Sequence, residues 1–491
     1  MKTPLSIDQL TSAAAPLRAW AWTLPVLLAA CASPVVPPSA LPALARQHAA
    51  TASPAASEQG IATGTPSAAW WRALNDTGLD QLVQAADAAN PGAQAAAQAV
   101  AAARAQWEAA EREAWPQGRL TADAQAVRPA VADVDPFNAG SPRPPQRRLL
   151  TVMQGVSWEL DLFGRIATAA GVAARDLDMA LAQAHAVRAA LHGDVVRHYV
   201  ALRWHQQALA SLQREQQAMA ERVRLLTARH AAGLLDQREL LSAQSEATGV
   251  QAELAGTRQR LTAHRHALAV LAGQSPRAPA DGLAGLAQPA DLPPVPATAD
   301  LRQPADLLVR RPDVAWADAQ FRARVGEAVL ADRANWPRLI LNFGIGVSAV
   351  PGQLGQASAL RYSAGPALSM DWLDAGRHRA RAAAARAGQQ AAWHRFEDTV
   401  LRALQDGEDA LQGWAAAREA MAQAGLARQS AVQAEQHASR RVAAGLEAPG
   451  ASLDGAVNAE RALRRAVSAQ ADALLAYVQV QLALGAWQPP T

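Results

Sequence analysis

Two landmarks recur along this 491-residue chain at a single offset. Gly164-Arg165 returns as Gly376-Arg377, and Ala231-Ala232-Gly233-Leu234 returns as Ala443-Ala444-Gly445-Leu446, each 212 residues on. Trp115-Pro116 has a later counterpart in Trp336-Pro337. Self-similarity of this kind means one structural unit used twice, so whatever the first half folds into, the second repeats. Each copy reads as helix, strand hairpin, helix, turn, helix. The first copy is placed at 67–288, with its hairpin at about 117–163, and the second at 289–491, with its hairpin at about 337–374. A Pro-rich linker, Pro276 to Pro296, joins them.

The segments between the landmarks are built for helix. No proline interrupts Gln146 to Ser275 or Ala367 to Ala448, and Ala, Leu, Arg, Gln and Glu dominate both. These residues lose little side-chain freedom in a helix. Two seven-residue rows run through the first stretch: Val195, Leu202, Leu209 and Val223, broken at Gln216, and His198, His205, Leu212, Met219 and Leu226. Rows held over several turns predict a coiled coil. A helix from Arg165 to Ala232 would reach roughly 100 Å at about 1.5 Å per residue, more than a globular domain uses and suited to a tunnel crossing a periplasm.

The hairpins alternate instead. Leu120, Ala122, Ala124 and Ala126 interleave with Arg119, Thr121, Asp123 and Gln125; Val152, Val156, Trp158 and Leu160 interleave with Thr151, Ser157, Glu159 and Asp161. In the second copy Leu339, Leu341, Phe343, Ile345 and Val347 oppose Asn342, Gly344, Gly346 and Ser348, while Tyr362, Ala364, Leu368, Met370 and Trp372 oppose Arg361, Ser363, Gly365, Ser369 and Asp371. Each run is long enough for a tilted membrane strand of about 9–11 residues. Two soluble hairpins capping a helical body remain the other reading. If the strands lie in lipid, four cannot close a barrel, since the smallest have about eight, and an open edge there leaves backbone groups unpaired. Three chains would supply a twelve-stranded wall.

The leader adds an address. Lys2 and Arg18 precede an apolar stretch, Ala19 to Ala30, that is too short to span a bilayer and right for a signal-peptide core. It ends in Leu28-Ala29-Ala30-Cys31, and Cys31 is the only cysteine. This resembles a bacterial lipobox, which makes 1–30 a lipoprotein signal peptide, Cys31 the site of lipid attachment and 31–66 a flexible tether rich in Ala, Pro, Ser and Thr. An ordinary signal peptide followed by a free Cys is the alternative. Ala32, rather than Asp, after the Cys implies sorting to the outer membrane, as in enteric lipoproteins.

Several blocks now fall into order: Trp70-Trp71-Arg72 with Leu79 and Leu82, Trp158 to Arg165 (WELDLFGR), Arg310 to Val314 (RRPDV), and Glu408-Asp409-Ala410-Leu411. Together they resemble the signature blocks of TolC-like outer-membrane efflux factors, in the lipoprotein branch serving RND-type pumps, over Trp70 to Trp487. The resemblance implies a mainly α chain with a β-barrel segment. Long antiparallel coiled-coil helices form a trimeric α-barrel tunnel, and four transmembrane strands per chain form a twelve-stranded β-barrel. It also implies a homotrimer in outer-membrane lipid, working passively with a periplasmic membrane-fusion adaptor and an inner-membrane RND pump to export small toxic compounds.

In that family the tunnel tip, where helices pinch the lumen until an adaptor engages, carries the function. The tip is expected at the two helix–helix turns, near Gly233 and Gly445, because Gly takes the conformations that end a helix. Relatives place a pore-facing acid just before an Ala-Gln-Arg-like triplet; here the triplet resembles Ala459-Glu460-Arg461 and Asn458 precedes it. Asp454 stands one turn earlier, and Glu239, four before Ala243, is taken as its counterpart in the first copy. The resemblance thus offers Glu239, Asp454 and Asn458 as a periplasmic gate, and threefold repetition would make rings that attract cations. The same side chains also read as solvated charges on a helix tip. Two departures stand out: Glu447-Ala448-Pro449-Gly450 looks inserted, and Val442 replaces the usual tyrosine. They suggest a looser constriction or a different adaptor.

Other functions find little support. After Lys2 there is no lysine for a P-loop or Schiff base. The formal charge of +3 is small, and no Arg cluster alternates with stacking aromatics, so no nucleic-acid partner is expected. His198 and His205 share one heptad row and read as seam residues rather than metal ligands, and His264 and His266 point apart. No catalytic residue, no metal and no cofactor beyond the lipid on Cys31 is expected. A type I secretion channel is the runner-up within the class. From a different class, a periplasmic coiled-coil structural or adaptor lipoprotein would need lipoyl-like and barrel domains, for which the strand-rich, Gly-punctuated sequence is missing.

Overall fold

The computed structural model describes residues 61–62, 69–131, 145–277, 285–300 and 311–485, with Phe137, Gly140 and Pro142. The expected signal peptide, Cys31 and all of the expected tether but Ile61-Ala62 lie outside the described residues, as do Arg310 and Trp487. In chain order the elements are β1 (Ile61–Ala62), a 3-10 turn (Trp70–Leu74), α1 (Thr77–Ala89), α2 (Pro91–Arg112), β2 (Gln117–Val127), β3 (Arg147–Leu160), α3 (Arg165–Ala231), α4 (Gln237–Leu271), β4 (Ala299–Asp300), α5 (Pro312–Asp332), β5 (Arg338–Ala349), a 3-10 turn (Ala357–Ala359), β6 (Leu360–Ser369), α6 (Arg377–Ala443) and α7 (Pro449–Ala483). The duplication is exact in length, since α3 and α6 each have 67 residues and α4 and α7 each have 35. No described helix is long and apolar enough to cross a membrane.

Two compact units share the chain, each drawing on both copies of the repeat. Among the described residues, one holds Ala102–Leu177 and Ala319–His394, and the other holds Asp178–Asp318, those within Ser39–Ala101 and those after His394.

The first unit carries a four-stranded antiparallel sheet in the order β2-β3-β5-β6. Its register aligns the alternating patterns: Ala122 faces Val152, Val152 faces Val347, and Val347 faces Leu360. Because neighbours across strands share a face, the apolar rows of all four strands form one surface. Thr121, Ser157, Asn342 and Ser363 fall on the other. The polar face is tight where β3 meets β5. A Cβ on Gly346 would lie 2.1 Å from the Val152 carbonyl oxygen and 2.6 Å from the Met153 sulfur, so only Gly fits there. β3 starts at Arg147, three residues before the alternation becomes clear, while β6 ends at Ser369 instead of continuing through Trp372. The reason is pairing: Ser369 faces Arg338, the first residue of β5, and past it there is no partner.

The residues after β3 explain the WELDLFGR block. Asp161 accepts the backbone N–H groups of Ile166 (3.0 Å) and Ala167 (2.8 Å), capping α3. Arg165 donates two 2.9 Å bonds to Glu159, and Gly164 takes φ +69 so the chain can turn. Asp374 repeats the cap on α6, accepting from Gly376 and His378, and Gly376 takes φ +84.

The second unit has its main core where Trp70, Trp71, Leu79, Leu82, Tyr199, Leu202, Leu268, Trp414 and Tyr477 pack together. The Pro-rich linker is strapped to this core: Gln206 donates to the Leu286 carbonyl (2.8 Å), Arg203 to the Gln288 carbonyl (2.8 Å) and Gln470 to the Pro293 carbonyl (3.0 Å). Tyr199 donates to Asp76 at 2.6 Å, and burial pushes its phenol up to about 12. From the RRPDV block, Arg311 is buried and donates to Asp313 (2.7 Å), Asp406 (2.9 Å) and the carbonyl of Ala483 (2.8 Å), the last residue of α7. It gathers α5, α6 and the negative end of α7 into one knot.

Candidate functional site: the helix turns and the charged seam behind them

The two helix–helix turns are built alike. Leu234 donates its N–H to the Arg229 carbonyl and Gly233 to that of His230; Leu446 donates to Arg441 and Gly445 to Val442, all at 2.9–3.0 Å. Gly233 and Gly445 both take φ +70. This is the Schellman ending, in which a left-handed residue lets the chain satisfy the last helical carbonyls. Each turn leaves a leucine, Leu234 or Leu446, largely in solvent. The caps that follow differ: Asp236 accepts the Arg238 N–H, whereas Ala448 offers no side chain and Pro449 occupies the first turn of α7.

The second turn is no longer than the first. α4 begins at Gln237 and α7 at Pro449, which preserves the 212-residue offset, and both helices end at left-handed glycines, Gly273 and Gly485. Pro449 and Gly450, which looked inserted, are the first residues of α7. The matching of Glu239 with Asp454 therefore fails. Glu239 is the third residue of α4 and aligns with Ala451, while Asp454 is the sixth of α7 and aligns with Ser242.

Glu239 and Asn458 are exposed. Asp454 is paired across the unit: its carboxylate lies 3.1 Å from Arg222 of α3. That pair opens a seam of charges running antiparallel between α3 and α7. Arg214 donates twice to Glu460 at 2.6 and 2.9 Å. Glu215, 1% exposed, receives Arg461 at 2.8 Å and Arg464 at 2.5 Å. Ser211 accepts from Arg464 (3.2 Å) and donates to the Glu460 carbonyl (3.1 Å). Arg222 also reaches Glu246 of α4 at 3.3 Å.

The heptad rows missed this seam for a physical reason. Leu212 and Met219 pack with Val250 and Leu254 of α4 and Val457 of α7, and Leu226 with Leu240 and Ala243 of α4, so the apolar rows read buried apolar contacts, mostly with α4 at this end of α3. The charged part of the α3–α7 contact uses Ser211, Glu215 and Arg222, which no hydrophobic period records. Its only trace in the sequence is the break at Gln216, beside Glu215. The α6–α7 pair is also polar near its turn. Ser439 and Ser452 hydroxyls meet at 2.8 Å, and Gly455 lies so close to α6 that a Cβ there would be 3.2 Å from the Glu435 Cα.

An amphipathic four-stranded sheet with open edges in one unit and paired long helices in the other are the parts of a membrane channel protein. The family model of outer membrane efflux proteins matches residues 82–274 and 304–486, one match in each copy of the repeat. The chain belongs to the outer membrane efflux protein family and is an outer-membrane efflux channel of the TolC-like kind. It is 28% identical over 440 residues to the pyoverdine export outer membrane protein OpmQ of Pseudomonas putida, covering 85% of this chain and 88% of that one. It is 30% identical over 330 residues to the fusaric acid resistance protein FusA of Burkholderia cepacia, 66% of this chain and 60% of the relative. Among solved structures the fold is similar to the outer-membrane channel OprN (TM-score 0.79, 24% identity, 89% of this chain and 97% of that one). It is also similar to VceC of Vibrio cholerae (TM-score 0.73, 23% identity, 86% and 99%).

Proposed function

We propose that three copies of this chain join into a passive exit duct, held at the outer membrane also by lipid on Cys31, for small toxic compounds delivered by an RND-type pump through a periplasmic adaptor. The observation that carries the assembly is the sheet. Its four apolar rows share one face, and its outer strands β2 and β6 each leave one side without a partner among the described residues. In lipid those backbone groups must be paired at several kcal/mol each, and the partners available are the edges of further copies. The lumen is then lined by the face bearing Thr121, Ser157, Asn342 and Ser363.

Trp115 and Trp336, just ahead of β2 and β5, and Trp158 and Trp372, at the ends of β3 and β6, all sit at one end of the sheet with exposed rings. Such an aromatic row suits the membrane–water boundary. No catalytic group is needed in a duct driven by its pump. Deleting the gene in its host and restoring it with wild-type or Cys31→Ser protein tests the reading. Loss of resistance to a pump substrate on deletion, with full rescue by the wild type, is expected. Unchanged resistance to every compound the adjacent pump exports would overturn it.

A further inference from the structure

Three imidazoles meet between α3 and α4, away from the turns and the charged seam. His198 and His264 bring their Nδ1 atoms to 3.0 Å. His205, 3% exposed, stacks on His264 with ring centroids 5.3 Å apart and on Trp204 at 4.3 Å. A 3.0 Å contact between two ring nitrogens requires one to donate and one to accept. If both rings are protonated, both nitrogens carry hydrogens and the contact becomes a collision of like charges. We propose that this stack is a proton-sensitive seam: acid charges the rings and loosens α3 from α4 around His198, His205 and His264.

The surroundings favour the neutral state. Burial lowers all three rings, His205 to about 4. Among the described residues the charges acting on them are Asp194 and Arg197 of α3 and Arg260 of α4. Asp194 supports a charged His198, but it is already bound by Arg197, which opposes that charge, and Arg260 opposes a charge on His205. Groups whose folded affinity for a proton is below the ordinary value near 6.5 stabilise the fold above that pH and withdraw the stability as pH falls. The seam is therefore tight in neutral surroundings and weakens in acid.

Hydrogen exchange of the purified full-length protein in detergent, at about pH 7.5 and about pH 4.5 and corrected for intrinsic rates, tests this. Protection at 194–206 and 260–268 should fall relative to 410–425 by about tenfold for each ring held one pH unit low. A His198→Gln/His264→Gln protein, whose amides donate and accept at any pH, should show a smaller acid response, keeping only what His205 contributes. An equal response in that variant, or no differential response in the wild type, overturns the proposal. Should the variant not fold, ring titration of the wild type by NMR decides: midpoints below 6 for at least two of these rings support it, and ordinary midpoints overturn it.

Discussion

Glu215 of α3 and Arg461 of α7 meet at 2.8 Å, with the carboxylate sealed from solvent at 1% exposure and Arg464 closing its other side. This contact adds a charged tie between the first and second copies to the apolar core they share. Removing Glu215 leaves Arg464, 15% exposed, without this partner, while Arg461, 38% exposed, remains open to water. Glu215→Ala should therefore cost about 1–3 kcal/mol, read as a lowered unfolding midpoint in detergent. Glu215→Gln should recover part of that loss through its remaining hydrogen bonds.

The Arg222–Asp454 pair is a different case. Asp454 is about half exposed and the pair lies at 3.1 Å, so Asp454→Ala should cost under about 1 kcal/mol. If the pair restrains the helices behind the turns, the same substitution should raise single-channel conductance in a planar bilayer, more at low salt than at high salt, because screening weakens the wild-type pair as well. Conductance unchanged at both ionic strengths would show that Asp454 is only a solvated charge.

The duplicated turns make a matched pair of tests. A Cβ at Gly233 or Gly445 would touch nothing within 4 Å, so alanine at either meets only the left-handed backbone, at about 1–2 kcal/mol. The two single variants should lose stability equally. Gly346→Ala is the contrast: its Cβ would run into the Val152 carbonyl, and the sheet should fail to form, read as absence of membrane-inserted protein.

Arg311 gives a pH prediction. Burial alone would raise the Asp313 carboxyl, but the Arg311 guanidinium outweighs it and holds the group below the ordinary carboxylate range. A lowered folded value means stability that is complete above the unfolded pKa near 3.9 and lost as pH falls through the folded one. The three donors of Arg311→Lys cannot replace the five bonds of the guanidinium, two to Asp313 and one each to Asp406 and the carbonyls of Ala403 and Ala483. That variant should show a lower unfolding midpoint at neutral pH, and the difference from wild type should shrink as Asp313 titrates in acid.

Much of this architecture was legible because its signals are periodic. Alternation revealed four strands, and their register on one face follows from it. The lengths of α3 and α6 follow from unbroken helix-forming sequence between landmark glycines. Gly233 and Gly445 were readable because a left-handed helix ending nearly demands Gly. The polar contacts were not. Glu215, Arg461 and Arg464 look like surface charges until α7 is laid against α3, and only then does the break at Gln216 acquire meaning. Glu239 was matched to Asp454 by a local resemblance of triplets, whereas equal helix lengths fix the register and pair it with Ala451. The end of β6 at Ser369 depended on where its partner β5 begins, information held 31 residues away in sequence.

The central claim is that one chain cannot form the wall and three can. Native mass spectrometry of the mature protein, released from detergent micelles, measures this directly. The account predicts a single dominant species of three chains that dissociates only when the sheet is disrupted, as in Gly346→Ala. A stable monomer that stays dispersed in water without detergent would contradict it.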